Sequence, residues 1–285
     1  MGKGRSIVAI VAVVVLAGVV GLVVAVQNWN SGLPLQLPLI GRACTVRADG
    51  QVTLDAEQMA NAATITAVGI RRKMPEQGIV VALATAFQES GLENLPNGDR
   101  DSVGLFQQRP SQGWGTPEEL QDPRTAAGKF YASLKKVKGW RDMRVTDAAQ
   151  KVQRSAYPEA YEKWADEAAV LARALNGKAT GAVACTVTRE PARRGAAAVA
   201  ALSEELRLDW GKLDLSPDGA AVGVDAANAR AGWRYAHWLV SHAAENGVER
   251  VRYADLEWHA PTGRWSPVAG EASARVVATV FGDAR

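Results

Sequence analysis

Two short segments of this 285-residue chain carry the side chains best suited to chemistry, Phe-Gln-Glu-Ser-Gly-Leu at 87–92 and Asp-Ser-Val-Gly-Leu-Phe-Gln-Gln-Arg-Pro at 101–110. Glu89 follows the run Ile79–Phe87, which is apolar on every face of a helix, so its carboxyl is expected at the rim of a hydrophobic core. Desolvation raises the pKa of a carboxyl, and a carboxyl that is protonated near neutral pH can donate to a leaving oxygen. We therefore expect Glu89 to act as a general acid.

The loop 91–115, rich in Gly, Pro, Asn and Asp, is expected to supply ligand contacts. The amides of Gln107 and Gln108 suit sugar hydroxyls, and Trp114 suits the flat face of a sugar ring. Two interpretations remain open for Asp99 and Asp101. One of them, with Asp101 as the candidate, acts as the second carboxylate that activates water in an inverting hydrolase. Alternatively, both cap the turn 97–99.

The two segments resemble motifs of the lytic transglycosylase (SLT-type) family of the lysozyme superfamily, over about residues 55–175. Glu89-Ser90 is similar to the family's helix-ending Glu-Ser, and Gly104-Leu105-Phe106-Gln107 with Pro110 to its Gly-Leu-Met-Gln and nearby Pro. Asp122-Pro123, with Gly128 and Tyr131, looks like the start of the family's next helix. The resemblance implies a mainly α, lysozyme-like domain in which Glu89 is the acid/base and Ser90 and Gln107 position it and the glycan.

The chain departs from the family pattern at three places. Phe106 replaces the usual Met, and Gln108-Arg109 is more polar than typical. The family's Ala-Tyr-Asn-x-Gly segment is not intact, and its nearest counterpart is Ser155-Ala156-Tyr157-Pro158, with Tyr157 as the expected substrate contact.

The resemblance implies an enzyme that cuts the bond between N-acetylmuramic acid and N-acetylglucosamine in peptidoglycan, with glycan strands as its partner and no cofactor. The alternative is a catalytically inactive wall-binding or scaffolding protein that keeps the fold. A formal net charge of +3 gives no argument for nucleic acid. Two distant cysteines and three scattered histidines have no metal-ligand spacing, so no metal is expected.

The N-terminus predicts a membrane anchor at 1–26. Lys3 and Arg5 precede the uncharged apolar run Ile7–Val26, which as a helix rises about 30 Å and can span the hydrocarbon core. The charges before the run favour a cytoplasmic N-terminus in the cell membrane and an extracytoplasmic remainder, after a linker at 27–43. A cleaved secretion signal is the alternative, and it places the remainder outside as well.

The two cysteines lie in matching contexts, Ala-Cys-Thr-Val at 43–46 and at 184–187. Disulfides persist outside the cytoplasm, so we expect a bond between Cys44 and Cys185, the alternative being two unpaired or intermolecular thiols. By the chain-entropy relation, so long a loop would stabilise the fold by about 5 kcal/mol.

The patterning predicts an α+β chain with two folded domains, a mainly α domain at 44–185 and a smaller α+β domain at 196–285, joined by a linker at 186–195. Helices are expected near 56–73 (with Asp55 as N-cap), 79–87, 125–136, 145–154, 158–175, 196–206 and 231–245. Strands are expected near 220–225, 248–259 and 276–281.

The second domain is less informative. Residues 220–225 followed by a helix are loosely similar to the core of cell-wall zinc carboxypeptidases, but no His precedes Asp225 at the metal position, which implies a binding or structural role. His237, His242 and His259 are expected on helix or strand faces. Four tryptophans form either a sugar-stacking face or part of the core: Trp233, Trp238, Trp258 and Trp265.

Overall fold

A small antiparallel sheet brings the two ends of the helical part together. The computed structural model of the chain describes residues 43–187 and 191–283. Strands β1 (Ala43–Arg47), β2 (Gln51–Asp55) and β3 (Val183–Cys185) form a sheet in the order β2-β1-β3. Cys44 and Cys185 face each other in the β1–β3 register and form a disulfide that closes a separation of 141 residues. The predicted bond is confirmed.

Two buried helices follow the hairpin. Helix α1 (Ala56–Arg71) begins at Asp55, whose carboxylate accepts from the Gln58 amide at 2.8 Å while the Gln58 side chain accepts from the Asp55 amide, so the predicted cap is confirmed. Every residue from 59 to 69 is buried. Helix α2 (Glu76–Ser90) is buried continuously from 78 to 87, as its apolar run predicts.

Four further helices complete this part of the chain: α3 (Pro117–Gln121), α4 (Pro123–Leu134), α5 (Val145–Gln153) and α6 (Ala165–Leu175). The helix predicted to begin at Pro158 is wrong in its first turns. Residues 158–164 form turns and a 3₁₀ segment, Glu162–Trp164, before α6 begins. In this segment the side chains of Tyr161 and Trp164 hydrogen-bond to the last turn of α2.

The C-terminal part contains helices α7 (Gly195–Trp210), α8 (Ala229–Ser241) and α9 (Ala243–Asn246). Its antiparallel sheet has the order β4-β5-β9-β6-β7-β8. The strands are β4 (Leu215–Asp218), β5 (Ala221–Asp225), β6 (Val248–Ala254), β7 (Leu256–His259), β8 (Arg264–Pro267) and β9 (Ser273–Val280). The segment predicted as one strand at 248–259 is two strands, because the chain reverses after Ala254, which has φ 51°. Helices with antiparallel sheets confirm the α+β class.

Helix α1 is the element that both parts share, since it packs against α2 and α4 and also against α7 and α8. Asp209 of α7 is fully buried at this junction. Its carboxylate accepts from Thr64 at 2.8 Å, from Arg124 Nε at 2.6 Å and from Trp238 Nε1 at 2.6 Å. One buried side chain therefore connects four helices, and the described residues belong to one compact unit.

The expected membrane span Ile7–Val26 and nearly all of the linker at 27–43 lie outside the described residues. Across 43–187 and 191–283, we find no helix with the length and apolar character needed to cross a bilayer.

Candidate functional site

The site is built around Glu89, in the last turn of α2. Its side chain is half-buried, and its Oε1 accepts a hydrogen bond of 2.6 Å from the hydroxyl of Tyr161, 72 residues later in the chain. Tyr161 itself is buried. The carboxyl therefore has one oxygen held in place by the protein interior, an arrangement that orients a group for proton transfer.

Tyr161 keeps its proton. Burial raises the pKa of its phenol well above the usual value, and the neighbouring Glu89 carboxylate raises it further. The side chain of Ser155 also contacts this hydroxyl and opposes the rise in pKa. Tyr161 is therefore a hydrogen-bond donor to Glu89 and not a competing base.

Tyr157, the expected substrate contact, lies on the surface and is 74% exposed. It is Tyr161 that contacts Glu89. The one available signal was the pair Tyr161 and Trp164, three positions apart, which a helical turn or 3₁₀ turn places on one side. Trp164 stacks on Phe87 at 5.0 Å and donates to the Gln88 side chain at 3.1 Å.

Ser90 connects Glu89 to the second motif. Its hydroxyl lies 2.8 Å from the carbonyl oxygen of Leu105 and 3.0 Å from that of Ala86. The next carbonyl, of Phe106, accepts from the Gln153 side chain of α5 at 2.8 Å. Two helix ends therefore hold successive carbonyls of the Gly-Leu-Phe-Gln segment beside the candidate acid.

Gly104 allows that segment to pass close to the backbone of Leu120, at the end of α3. It has φ 74°, and a Cβ at this position would lie 2.3 Å from the carbonyl oxygen of Leu120. Only glycine combines this backbone conformation with so close an approach. Phe106, where the family motif has Met, is fully buried and stacks on Phe130 at 4.7 Å.

The two glutamines predicted to contact substrate have different environments. Gln107 is half-buried with φ 46°, and its amide is used within the loop, accepting from Ser102 at 2.9 Å and donating to the Gly104 carbonyl at 3.1 Å. Gln108 is buried, and its amide donates to the Ala126 carbonyl at 3.3 Å. Gln107 is therefore partly exposed in the loop, whereas Gln108 lies in the interior.

Asp101 and Asp99 hold the loop. The Asp101 carboxylate accepts from the Ser111 amide at 2.8 Å and from its hydroxyl at 3.0 Å, and these hydrogen bonds lower the pKa of Asp101. Asp99 pairs with Arg109 at 2.8 Å. A carboxylate with a lowered pKa is a weaker base, so the geometry favours a structural role for Asp101 over activation of water, although its partner is Ser111 and not the turn 97–99.

Trp114 is half-buried and lines an open groove bounded by the ends of α4 and α5. Gln153 also lines this groove, and its side chain donates to the Phe106 carbonyl. The predicted aromatic contact Trp114 therefore lies in a groove that Gln153 links to the segment 104–107, which we call the motif loop.

Most of the C-terminal histidines and tryptophans are buried, and His259 is partly exposed. His237 and His242 are buried in α8 and at its end, while His259 lies on β7, 3.0 Å from Glu257. Trp233, Trp238 and Trp258 are buried, and Trp265 donates to the Val183 carbonyl at 2.7 Å. Within the described residues no cluster of three or more His, Cys, Asp or Glu side chains is arranged to hold a metal ion.

No protein-family model matches the chain, and no curated protein matches it. The case for a function therefore depends on the residues around Glu89.

Proposed function

We propose that this protein is a peptidoglycan lytic transglycosylase, with Glu89 as its single acid/base. The observation that carries the proposal is the half-buried Glu89 carboxyl at the end of a wholly buried helix, fixed by the buried Tyr161 hydroxyl at 2.6 Å. The motif loop held by Ser90 supplies the adjoining wall.

In the proposed reaction, protonated Glu89 donates its proton to the glycosidic oxygen as the bond to the anomeric carbon breaks. The Glu89 carboxylate then takes the proton from the 6-hydroxyl of the same muramic acid residue. That oxygen forms the new bond to the anomeric carbon, which gives a 1,6-anhydro sugar and returns the proton to Glu89. Tyr161 stabilises the carboxylate between the two steps by donating to Oε1.

A transglycosylase needs no second carboxylate, because the nucleophile belongs to the substrate. The contacts of Asp101 agree with this, since its carboxylate, the other candidate base, already accepts two hydrogen bonds from Ser111 within the loop. A hydrolytic muramidase would require water to be activated by Glu89 itself or by another group.

The test uses the purified full-length chain, isolated sacculi, and mass spectrometry of the released muropeptides. Glu89→Gln should reduce release by roughly 10²–10⁴-fold, because the amide keeps the shape but has no acidic proton. Glu93→Gln, an exposed carboxylate four residues later, is the matched control and should leave release unchanged.

Anhydro products that disappear in Glu89→Gln support the proposal. Hydrolysed products would make the protein a muramidase. Binding to sacculi with no release by the unmodified chain would identify a wall-binding protein instead and overturn the enzymatic assignment.

We also propose that the protein is anchored in the cell membrane by Ile7–Val26, with the cytoplasm on the side of Lys3 and Arg5 and the folded part outside. The Cys44–Cys185 bond supports an oxidising compartment. A reporter that works only outside the membrane should be active after Arg285 and silent before Met1. Activity of the C-terminal fusion in the cytoplasm alone would exclude contact with peptidoglycan.

A further inference from the structure

A basic groove of about 730 Å³ adjoins the candidate site. The basic groove is the depression lined by Trp114, Lys136, Lys151, Gln153 and Arg154. No acidic residue among the described ones lines it. Three cations therefore share one opening with an indole ring. Such a surface attracts anions, and the focusing of the field in a concave site strengthens the attraction.

The cations of the basic groove are not neutralised by the protein. Within the described residues neither the Lys136 ammonium nor the Arg154 guanidinium forms an ion pair or hydrogen bond. Asp147 lies one turn before Lys151 on α5, and Lys151 contributes to the lowered pKa of the Asp147 carboxyl. Asp147 is already bound through both carboxylate oxygens to Arg144, at 2.9 Å each.

Arg154 occupies a backbone position that suits glycine better. It ends α5 in the left-handed region, with φ 55° and ψ 40°. Residues with a Cβ are disfavoured there, and such strain is concentrated at functional positions. A long cationic side chain therefore lines the groove in spite of the local backbone preference.

The basic groove is connected to Glu89 through consecutive residues. Gln153 lines the groove and donates to the Phe106 carbonyl of the motif loop. Ser155, directly after Arg154, contacts the Tyr161 hydroxyl, which in turn donates to Glu89. Residues on both sides of Arg154 therefore link the basic groove to the segment around Glu89.

We infer that the basic groove binds the carboxylates of the peptide attached to the glycan strand, so that the protein recognises peptide-bearing strands over bare ones. This inference rests on the proposed function, whose substrate it specifies. The indole of Trp114 suits a sugar face. A guanidinium with two ammonium groups suits carboxylates held close to that sugar.

The experiment measures binding in the full-length Glu89→Gln variant, so that no cleavage disturbs the titration. The probes are a disaccharide–tetrapeptide muropeptide and the same disaccharide without peptide. The dissociation constant of each probe is measured by calorimetry at low and at high salt. We expect the peptide-bearing probe to bind about tenfold more tightly at low salt, and added salt to reduce this difference.

Two groove variants and one control define the role of the charges. Arg154→Gly should lower affinity for the peptide-bearing probe up to about fivefold, the range of an exposed ion pair, while the thermal midpoint stays the same or rises. The double variant Lys151→Gln/Arg154→Gly should lose about tenfold or more. Lys212→Gln removes an exposed cation outside the groove and should change nothing.

The outcomes separate the inference from the proposed function. Equal affinity for the two probes, or groove variants that bind like Lys212→Gln, would overturn the inference even if Glu89 proves catalytic. Tighter binding of a short polyglycerol phosphate than of the muropeptide would overturn it as well, by showing that phosphate is the preferred anion. Charge-dependent preference for the peptide-bearing probe, in a chain without cleavage activity, would support the groove and reject the enzyme.

Discussion

Buried His237 predicts a specific dependence of stability on pH. Its Nδ1 lies 2.8 Å from the Ala174 carbonyl oxygen, and its Nε2 lies 2.9 Å from the Ala182 amide nitrogen. A carbonyl can only accept and an amide N–H can only donate, so Nδ1 carries the proton and Nε2 is unprotonated. Protonation of Nε2 would point its N–H at the Ala182 N–H in the interior, where neither donor has an acceptor.

Burial lowers the pKa of His237 to about 4 from 6.5, and the hydrogen bond to Ala174 partly opposes this effect. Between these two values the unfolded chain binds a proton that the folded chain does not. The contribution of His237 is therefore fully present above pH 6.5 and is lost as the pH falls towards 4. At 1.36 kcal/mol per pKa unit, the difference corresponds to about 3 kcal/mol of unfolding free energy.

The perturbation is His237→Gln, followed by urea unfolding with circular dichroism from pH 4.5 to 7.5 and the disulfide intact. The free-energy difference between the unmodified protein and the variant should shrink on acidification, because the variant has no proton to gain at this position. Trp233→Phe, at a ring 5.3 Å from His237, is the control that lowers stability without removing the titrating group.

The control should give a curve parallel to that of the unmodified protein across the whole range. A parallel curve for His237→Gln would refute the reasoning. An NMR titration that gives the His237 ring a pKa near 6.5 in the folded protein would refute it as well.

Three further predictions concern the site and its frame. Tyr161→Phe should reduce muropeptide release roughly 10- to 100-fold through loss of a hydrogen bond to a charged group, whereas Tyr157→Phe should not, so equal effects in an activity assay would contradict the assignment. Gly104→Ala should lower the unfolding free energy by more than Gly139→Ala. Both glycines have positive φ, but only a Cβ at 104 meets a neighbouring atom, so equal losses in urea unfolding would count against the close approach. Reduction of the disulfide should lower stability by a few kcal/mol, about 5 in the chain-entropy limit, and an unchanged midpoint in the reduced protein would contradict it.

Local patterns in the sequence determined the elements that local interactions stabilise. The Asp55 capping box and the continuous apolar run of α2 each predict a helix without knowledge of the rest of the chain, and both predictions are confirmed. The matched Ala-Cys-Thr-Val contexts and the expected export of the chain predicted the disulfide, and antiparallel pairing of β1 with β3 places the two cysteines opposite each other. The small sheet itself was missed, since strands of three to five residues have too few positions to show an alternating pattern.

Only the tertiary structure decided which side chains meet at Glu89. Tyr161 and Tyr157 are four positions apart and chemically alike, yet one is buried against the carboxyl and the other faces solvent. Gln107 and Gln108 are adjacent, but the backbone at Gln107 turns the second amide into the interior. Periodicity reports which face of an element is buried, whereas contacts 72 residues apart depend on how the elements pack. The sequence therefore determined the helix that presents Glu89, and packing selected the groups that surround it.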